Sequence, residues 1–243
     1  MKKLILASNS PRRRELLEQI RVEFERIPSN AEEKATKPEP SEVAEELSRQ
    51  KAADVAAAVE DGIVRGADTV VCQEGQIMGK PKDEADAKQM LQKLQGEEHS
   101  VYTGVTILVK ENGAVQHVQT FSQETKVYVY EMTYEEIDRY IATGEPMDKA
   151  GAYGIQGRFA AYVDGIEGDY NNVVGLPVSA VWQELKELAE EKLLFEEEDY
   201  INPQWAVVKN TPIKALCLNV AHDCNLRCKY CFASTGGYGS RRA

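Results

Sequence analysis

The run Leu4-Ile5-Leu6-Ala7-Ser8-Asn9-Ser10-Pro11 decides how this 243-residue chain begins to fold. Its apolar first half predicts a buried strand, and Ser10 followed by Pro11 is typical of a helix N-cap and a first helical residue. We therefore predict a helix from Pro11 to about Ile20. The basic and apolar start also resembles a signal peptide, but its apolar run is too short for one. A strand that leads directly into a helix indicates an α/β domain.

Alternating helix and strand patterns continue to about residue 193. The predicted helices cover residues 41–59, 83–96, 133–144 and 178–193, and the predicted strands cover residues 63–71, 101–110 and 116–130. Asn112-Gly113, between the last two strands, is a strong hairpin signal, and Thr133 with Glu136 has the pattern of a capping box. Residues 1–193 are therefore predicted to form one α/β domain, residues 194–212 a linker, and residues 213–243 a small, poorly ordered extension.

Charge and hydropathy argue against two classes of partner. The net charge of −11 is unlike that of a general nucleic-acid binder, which would carry a basic face. No apolar run approaches the roughly 20 residues that span a membrane. We therefore predict a cytoplasmic protein with no nucleic-acid or membrane partner. A small-molecule nucleotide site stays compatible with this charge, because it needs only a local basic cluster.

The turn between the first strand and the first helix is a candidate phosphate-binding site. A helix N-terminus directs unpaired N–H groups and a partial positive charge at a bound anion. The hydroxyls of Ser8 and Ser10 and the guanidinium groups of Arg12 and Arg13 add donors that suit phosphate. The alternative is a helix cap followed by solvated arginines. Because Arg12, Arg13 and Arg14 in a first turn oppose the helix dipole, we expect an anion beside them.

Asp68 lies inside an otherwise apolar pattern, Arg65-Gly66-Ala67-Asp68-Thr69-Val70-Val71. A buried carboxylate is costly unless it is paired or bound to a metal ion, so Asp68 is a candidate for holding a divalent cation or orienting an attacking water. The alternative is a turn aspartate before the strand. Lys80, in Gly79-Lys80-Pro81, offers an ammonium group for phosphate. His99 is expected on a strand surface.

The segment Asp148-Lys149-Ala150-Gly151-Ala152-Tyr153-Gly154-Ile155-Gln156-Gly157 is the most informative loop. Its glycines allow the backbone to approach a ligand closely. Gln156 offers both a donor and an acceptor, as needed to recognise the imide edge of a uracil or thymine ring. The alternative is a flexible surface loop, but such loops seldom carry so many small apolar residues beside an Asp-Lys pair.

Five blocks of sequence, in order, resemble the Maf family of nucleotide pyrophosphatases. They are Ser8-Asn9-Ser10-Pro11-Arg12-Arg13, Gly66-Ala67-Asp68-Thr69, Gly79-Lys80-Pro81, residues 148–157 and Val173-Val174-Gly175-Leu176-Pro177. The resemblance covers residues 1–193. It implies a mixed-sheet, two-lobed α/β fold like that of the inosine triphosphate pyrophosphatases, a divalent metal cofactor (magnesium or manganese) and a homodimer. It also implies hydrolysis of a nucleoside triphosphate to the monophosphate and pyrophosphate.

The resemblance assigns roles residue by residue. Asp68 would be the catalytic acidic residue, which activates water or holds the metal, and Glu33 or its neighbour Glu32 would lie on the metal side. The Ile155-Gln156-Gly157 ending favours the dTTP/UTP branch over the 7-methyl-GTP branch. The other matched residues would choose the substrate (Arg12, Thr69 and Gln156) or neutralise its phosphates (Arg13, Lys51, Lys80 and Lys149).

A cysteine cluster near the C-terminus indicates a second kind of chemistry. Cys224, Cys228 and Cys231 have the C-x3-C-x2-C spacing that binds three irons of a [4Fe–4S] cluster and leaves the fourth open for S-adenosylmethionine. This spacing resembles the radical SAM superfamily, and the residues before it resemble the thioether-forming peptide maturases of that superfamily. The alternative is a zinc site completed by Cys217 or His222.

The short stretch after Cys231 limits what this segment can do. A complete β/α barrel takes about 250 residues, far more than follow Cys231. We therefore expect the truncated start of a radical SAM enzyme, with a vestigial cluster and no radical chemistry. Two other interpretations of the chain stay open: an iron–sulfur enzyme with an accessory nucleotide domain, and a nucleotide-binding regulator without catalysis.

Overall fold

The strand that carries Asp68 is the central element of the sheet. The computed structural model describes residues 3–190, so the predicted linker and the cysteine-rich segment lie outside the described residues. The strands are β1 (Leu4–Leu6), β2 (Glu25–Arg26), β3 (Gly62–Gln73), β4 (Gln76–Met78), β5 (Glu98–Glu111), β6 (Ala114–Val129) and β7 (Val163–Glu167). The helices are α1 (Pro11–Gln19), α2 (Pro40–Ala57), α3 (Glu84–Leu94), α4 (Tyr134–Ile141), α5 (Tyr170–Val174) and α6 (Val178–Glu190), and short 3-10 helices cover Glu145–Asp148, Ala150–Ala152 and Arg158–Tyr162.

The strands form one mixed sheet in the order β2-β1-β3-β5-β6-β7, with β4 paired to β3. β1 is parallel to both β2 and β3, and parallel pairs need crossover connections, which α1 and α2 provide here. The pairs β3–β5, β5–β6 and β6–β7 are antiparallel. The predicted fold class, a mixed-sheet α/β fold, is therefore confirmed.

One edge of β3 is only partly paired. On one side β5 pairs with residues 62–72, so β1 and β4 must both lie on the other side. There β1 pairs with residues 63–65 and β4 with residues 71–73. Within the part of the chain that the structure describes, residues 66–70 have no strand partner on that edge. Asp68 therefore lies at a gap in the sheet, which we call the sheet gap.

Helix α2 packs directly on β3 and β5 because each strand carries a glycine beneath it. A Cβ atom on Gly66 would lie 2.1 Å from the Ser48 carbonyl oxygen, and one on Gly104 would lie 2.2 Å from the backbone of Ala44. Glycine inside a strand often marks such a close approach of another backbone. The contact fixes the height of Lys51, on the same helix, above the sheet.

The main hydrophobic core contains the alternate residues of β3 that do not face α2. Ile63, Ala67 and Val71 belong to one cluster with buried side chains of α1, α3, α4 and α6, whereas Val70 packs beneath α2. β3 is thus buried on both faces, which explains its nearly continuous apolar sequence. Besides Asp68, Arg65 is the charged residue of this strand. Its side chain is fully buried, its nitrogens have no hydrogen-bond partner within residues 3–190, and burial lowers its pKa to about 10.

Two local predictions are confirmed in detail. Asn112 and Gly113 both have positive φ angles, 50° and 75°, in the tight turn between β5 and β6. Thr133 and Glu136 form a complete capping box at the start of α4. Separately, none of the helices within residues 3–190 combines the length and the apolar character that a membrane span requires.

Other local predictions need correction. Ser10 occupies the N-cap position of α1, but its side chain makes no capping hydrogen bond, and its N–H donates to Ser8 Oγ at 3.2 Å. α3 ends at Leu94 rather than at Gly96. The sequence prediction also missed β2, β4, α5 and the 3-10 helices, because elements this short contain too few residues to show a periodic pattern.

Candidate active site

Asp68 is paired with a lysine that reaches it from α2. Asp68 is 9% exposed, and Lys51 Nζ donates a hydrogen bond to its Oδ1 atom. The same ammonium group lies 2.9 Å from Glu33 Oε1. Burial raises the pKa of Glu33, but the hydrogen bond and the charge of Lys51 outweigh it, so the pKa is lowered overall. The buried carboxylate on β3 thus has the cationic partner that its burial demands.

Arg13 is a buried cation held by neutral oxygen atoms. Its Nε donates to the Gly175 carbonyl oxygen at 2.7 Å, one terminal nitrogen to Ser8 Oγ at 3.3 Å and the other to Thr69 Oγ1 at 3.0 Å. Burial lowers the pKa of Arg13, and the nearby charge of Asp68 acts in the opposite direction. A guanidinium group has five N–H bonds, so these contacts leave donors for an anion. Arg13 therefore places a fixed positive charge beside Asp68.

A chain of hydroxyl groups fixes the orientation of Thr69. Its Oγ1 lies 2.9 Å from Thr103 Oγ1, and Thr103 Oγ1 donates to the Asn172 carbonyl oxygen at 3.0 Å. Because Thr103 has a single hydroxyl proton, Thr69 must donate to Thr103. Thr69 then accepts from Arg13 and has no proton left for a ligand. A role of Thr69 in substrate choice would therefore act through Arg13 or through its methyl group.

Arg12 and Lys149 meet at the carboxylate of Asp148. Arg12 Nη1 lies 3.3 Å from Asp148 Oδ2, and Lys149 Nζ lies 2.6 Å from Asp148 Oδ1. Burial raises the pKa of Asp148, but the hydrogen bond and charge of Lys149 and the charge of Arg12 lower it overall. Arg12 and Lys149 thus share one carboxylate partner. The N–H donors of both side chains bind phosphate oxygens as readily as carboxylate oxygens, so a phosphate group can replace Asp148.

The remaining predicted residues lie at the surface around these clusters. Ser10 is half-buried. Lys80 is exposed, in a loop whose Gly79 carbonyl oxygen accepts from the Gly151 N–H at 3.0 Å. Gln156 is exposed and makes no hydrogen bond within residues 3–190. The Lys80 loop and the loop that carries Gln156 are therefore neighbours, although their functional side chains are solvated.

His99 is buried, so its expected place on a strand surface is wrong. It is 3% exposed, and its Nε2 atom lies 2.7 Å from the Tyr153 hydroxyl. The two rings pack edge to face, with centroids 5.2 Å apart. Burial lowers the pKa of His99 to about 4, so the imidazole is neutral near pH 7. The residue anchors the loop that carries Tyr153 and Gln156, which covers this end of β5.

The free energy of unfolding should fall as the pH falls from about 6.5 to about 4. In this window the unfolded chain binds a proton at His99, whereas the folded chain does so only near its pKa of about 4. By linkage, the loss between pH 7.5 and pH 5 is about 2 kcal/mol. Urea unfolding at the two pH values measures it. The loss of stability should disappear in His99→Gln. It should persist in the control His117→Gln, which replaces a half-buried histidine on β6. An unchanged dependence of stability on pH in His99→Gln would contradict a buried neutral imidazole.

The fold and this site define an α/β protein with a candidate polyanion site. At the gap in the mixed α/β sheet, Lys51 bridges Asp68 and Glu33, and the buried Arg13 contacts Thr69, which suits a polyanion bound beside an acidic group. The chain belongs to the Maf-like protein family, whose sequence profile matches residues 3–188.

Relatives from several bacteria share more than half of their aligned residues with this chain. A protein of Agathobacter rectalis named dTTP/UTP pyrophosphatase is 55% identical, over 77% of this chain and 98% of its own length. A protein of the same name from Bacillus cytotoxicus is 52% identical, over 77% of this chain and 96% of its own length. Another, from Carboxydothermus hydrogenoformans, is 51% identical, over 76% of this chain and 98% of its own length. Among solved structures, the Staphylococcus aureus Ham1 protein has a TM-score of 0.44 at 14% identity, over 76% of this chain and 98% of that one.

Asp68 and Glu33 have the ligand chemistry that suits a divalent metal ion. Both carboxylates bind the Lys51 ammonium group, so their arrangement accommodates a cation between them. Within residues 3–190 there is no group of three or more His, Cys, Asp or Glu side chains able to hold a metal ion. Magnesium commonly binds one or two carboxylates and completes its shell with water and substrate phosphates. The described residues therefore suit this mode rather than a cage built from protein ligands alone.

Proposed function

We propose that this chain is a nucleoside triphosphate pyrophosphatase that hydrolyses dTTP and UTP to the monophosphate and pyrophosphate. The observation that carries the proposal is the arrangement at the sheet gap, where Lys51 bridges Asp68 and Glu33. The buried Arg13 lies beside this pair and keeps donors free for an anion. Relatives at 51–55% identity that are named dTTP/UTP pyrophosphatase support both the reaction and the choice of nucleotide.

The proposed reaction is attack of water on the α-phosphorus of the nucleotide. A bond forms between the water oxygen and phosphorus, the bond from phosphorus to the bridging oxygen breaks, and pyrophosphate leaves with that electron pair. Asp68 would orient the water and accept its proton. Arg13, fixed beside Asp68, would stabilise charge on the α-phosphate. Arg12 and Lys149 would exchange Asp148 for the phosphates of the leaving group.

A magnesium or manganese ion would complete the charge balance of the bound triphosphate. Asp68 and Glu33 are the residues that would hold it, and when bound it would neutralise phosphate charge and assist activation of the water. Lys51 bridges the same two carboxylates. Lys51 and the exposed Lys80 would offer their ammonium groups to phosphate oxygens of the nucleotide.

Gln156→Ala should reduce the preference for UTP over CTP by about 10-fold, because a side chain that reads a base edge contributes one or two hydrogen bonds. A uracil ring presents an N–H donor flanked by carbonyl acceptors. The Gln156 amide complements this edge when its oxygen faces the N–H and its amino group faces a carbonyl, and in that orientation it opposes the ring nitrogen and the amino group of cytosine. The ratio of kcat/KM for UTP to that for CTP measures the effect. Gln183→Ala, at an exposed glutamine of α6, is the matched control. Retention of the full preference in Gln156→Ala would remove Gln156 from base recognition.

We propose, from the sequence motif alone, that Cys224, Cys228 and Cys231 bind a vestigial [4Fe–4S] cluster with an open iron for S-adenosylmethionine. These residues lie outside the described part of the chain, so the support is the cysteine spacing only. Anaerobic reconstitution with iron and sulfide, followed by analysis of bound iron and acid-labile sulfide, tests the proposal. Stoichiometric zinc in place of iron would contradict it, and reductive cleavage of S-adenosylmethionine would contradict the expected lack of radical chemistry.

We also propose that the protein is cytoplasmic and forms a homodimer. Its small-molecule ligand would be the nucleotide substrate. The support is the resemblance to the family and the charge and hydropathy of the sequence. Size-exclusion chromatography with light scattering tests the dimer. A monomer throughout the micromolar range would contradict it.

A further inference from the structure

The exposed Gln156 sits at the tip of a tight turn. The Gly157 N–H donates to the Gly154 carbonyl oxygen at 3.0 Å, which closes the turn. Ile155 on one side of Gln156 is buried, whereas Gln156 itself is exposed. A side chain with three rotatable bonds can recognise a base specifically only when the backbone that carries it is fixed.

One pair of side chains holds both ends of the turn. The Gly154 N–H donates to the Tyr140 hydroxyl at 3.2 Å, and the Arg158 N–H donates to Glu145 Oε2 at 3.1 Å. The Tyr140 hydroxyl in turn donates to Glu145 Oε1 at 3.0 Å. We call Tyr140 and Glu145 the clamp. Its three hydrogen bonds connect the residues that flank Gln156 on each side.

Steric contact adds to the hydrogen bonds of the clamp. A Cβ atom on Gly157 would lie 2.0 Å from Glu145 Oε1, so the turn rests directly on the carboxylate. A Cβ atom on Gly154 would lie 2.6 Å from Lys149 Cε. Glycine at positions 154 and 157 therefore lets the ends of the Lys149 and Glu145 side chains lie directly against the turn, and a larger residue would displace them.

The hydroxyl group of Tyr140 keeps its proton near neutral pH. Tyr140 is 3% exposed, and its burial, together with the hydrogen bond to Glu145, raises the pKa of its hydroxyl far above the ordinary range of tyrosine. The hydroxyl proton therefore stays on Tyr140 and is donated to Glu145. The same oxygen remains free to accept from the Gly154 N–H.

The clamp is also connected to the cations of the candidate site. Lys149 Nζ donates to the Glu145 carbonyl oxygen at 2.6 Å and to Asp148 Oδ1 at 2.6 Å. Asp148 in turn binds Arg12. The short segment 145–149 thus carries both the carboxylate that fixes the Gln156 turn and residues proposed to bind the phosphates. Displacement of Glu145 would change the distance between the two recognition elements.

We propose that Tyr140 and Glu145 are positioning residues that hold Gln156 for recognition of the pyrimidine base, and that they thereby determine base specificity without contacting the substrate. The inference rests on the proposed function, because it assigns the clamp to the base-reading step of that reaction. Both residues act through the backbone of residues 154–158. They are therefore expected to affect discrimination between nucleotides rather than the chemical step.

The test compares Tyr140→Phe and Glu145→Ala with the wild type on UTP and CTP, in the full chain. Each variant removes the acceptor of one N–H of the turn, so we expect the UTP-to-CTP ratio of kcat/KM to fall by about 10-fold, mainly through a higher KM for UTP. Glu145→Gln keeps one acceptor oxygen and should give an intermediate ratio. The matched controls are Tyr134→Phe and Glu135→Gln, exposed positions on α4, which should leave the ratio unchanged.

The outcomes separate the inference from the function on which it rests. If Gln156→Ala loses base preference while Tyr140→Phe and Glu145→Ala keep it, the positioning role is wrong. An equal fall in kcat for both nucleotides, with an unchanged ratio, would also overturn it, because a general loss of structure predicts that pattern. Thermal unfolding identifies a variant that fails to fold, and the milder Glu145→Gln then decides. Absence of UTP hydrolysis by the wild type would instead overturn the proposed function.

Discussion

Asp68→Asn is expected to hydrolyse UTP roughly 10²–10⁴-fold more slowly than the wild type while it still binds the nucleotide. The amide cannot accept a proton from the attacking water, and it is a poor ligand for a divalent metal. Binding should persist because Arg12, Arg13 and Lys149 are unchanged. The side chain keeps its size, and Lys51 keeps Glu33 as its partner, so the fold should be preserved.

Steady-state kinetics and calorimetric titration of UTP measure the two properties separately. The control is Asp138→Asn, which removes an exposed carboxylate that pairs with Lys88 on the surface. It should leave kcat within about 2-fold of the wild type, since exposed ion pairs contribute little. An Asp68→Asn enzyme with full activity would remove Asp68 from the mechanism.

Gly66→Ala is expected to destabilise the domain by about 1–3 kcal/mol, as other overpacked cores are. The added methyl group would lie 2.1 Å from the Ser48 carbonyl oxygen and 2.7 Å from the Ala52 nitrogen, so helix α2 must move. Gly66 does not have a positive φ angle, so backbone strain adds nothing to this effect. The same movement would displace Lys51 from Asp68, and a shift of about 1 Å at a reacting centre can lower activity by about 100-fold.

Urea unfolding and kcat/KM for UTP measure these two effects in the same preparation. Gly165→Ala is the matched control, because a Cβ atom there meets nothing within 4 Å and the glycine has no positive φ angle. A Gly66→Ala variant as stable and active as Gly165→Ala would show that α2 does not need its close contact with β3 to position Lys51.

The sequence predicts those features of the fold that depend on neighbouring residues. The Asn112-Gly113 turn needs positive φ at two adjacent positions, and the capping box of Thr133 and Glu136 lies within one helical turn. The α/β class also follows from local alternation of strands and helices, whereas the mixed sheet is implied by the resemblance to the family. The sequence also predicts a role for Asp68, because a charge within an apolar strand indicates a partner wherever that partner lies in the chain.

The site geometry could not be predicted in the same way, because its contacts join distant parts of the chain. Arg13 meets Thr69 and Gly175, which are 56 and 162 positions away. His99 looked like a surface residue because its burial depends on the loop of Tyr153, 54 positions later. The burial of a single residue could not be predicted either. Arg65 is charged yet fully buried.

The most direct test of the central proposal is to incubate the purified protein with UTP, dTTP, CTP, 7-methyl-GTP and inosine triphosphate, with magnesium or manganese, and to assay pyrophosphate and monophosphate. We predict that UTP and dTTP yield both products in equal amounts, well ahead of the other nucleotides. Release from 7-methyl-GTP alone would contradict the base recognition assigned to Gln156. If no nucleotide yields pyrophosphate while UTP still binds, the proposed pyrophosphatase activity would be contradicted. That result would indicate a nucleotide-binding regulator.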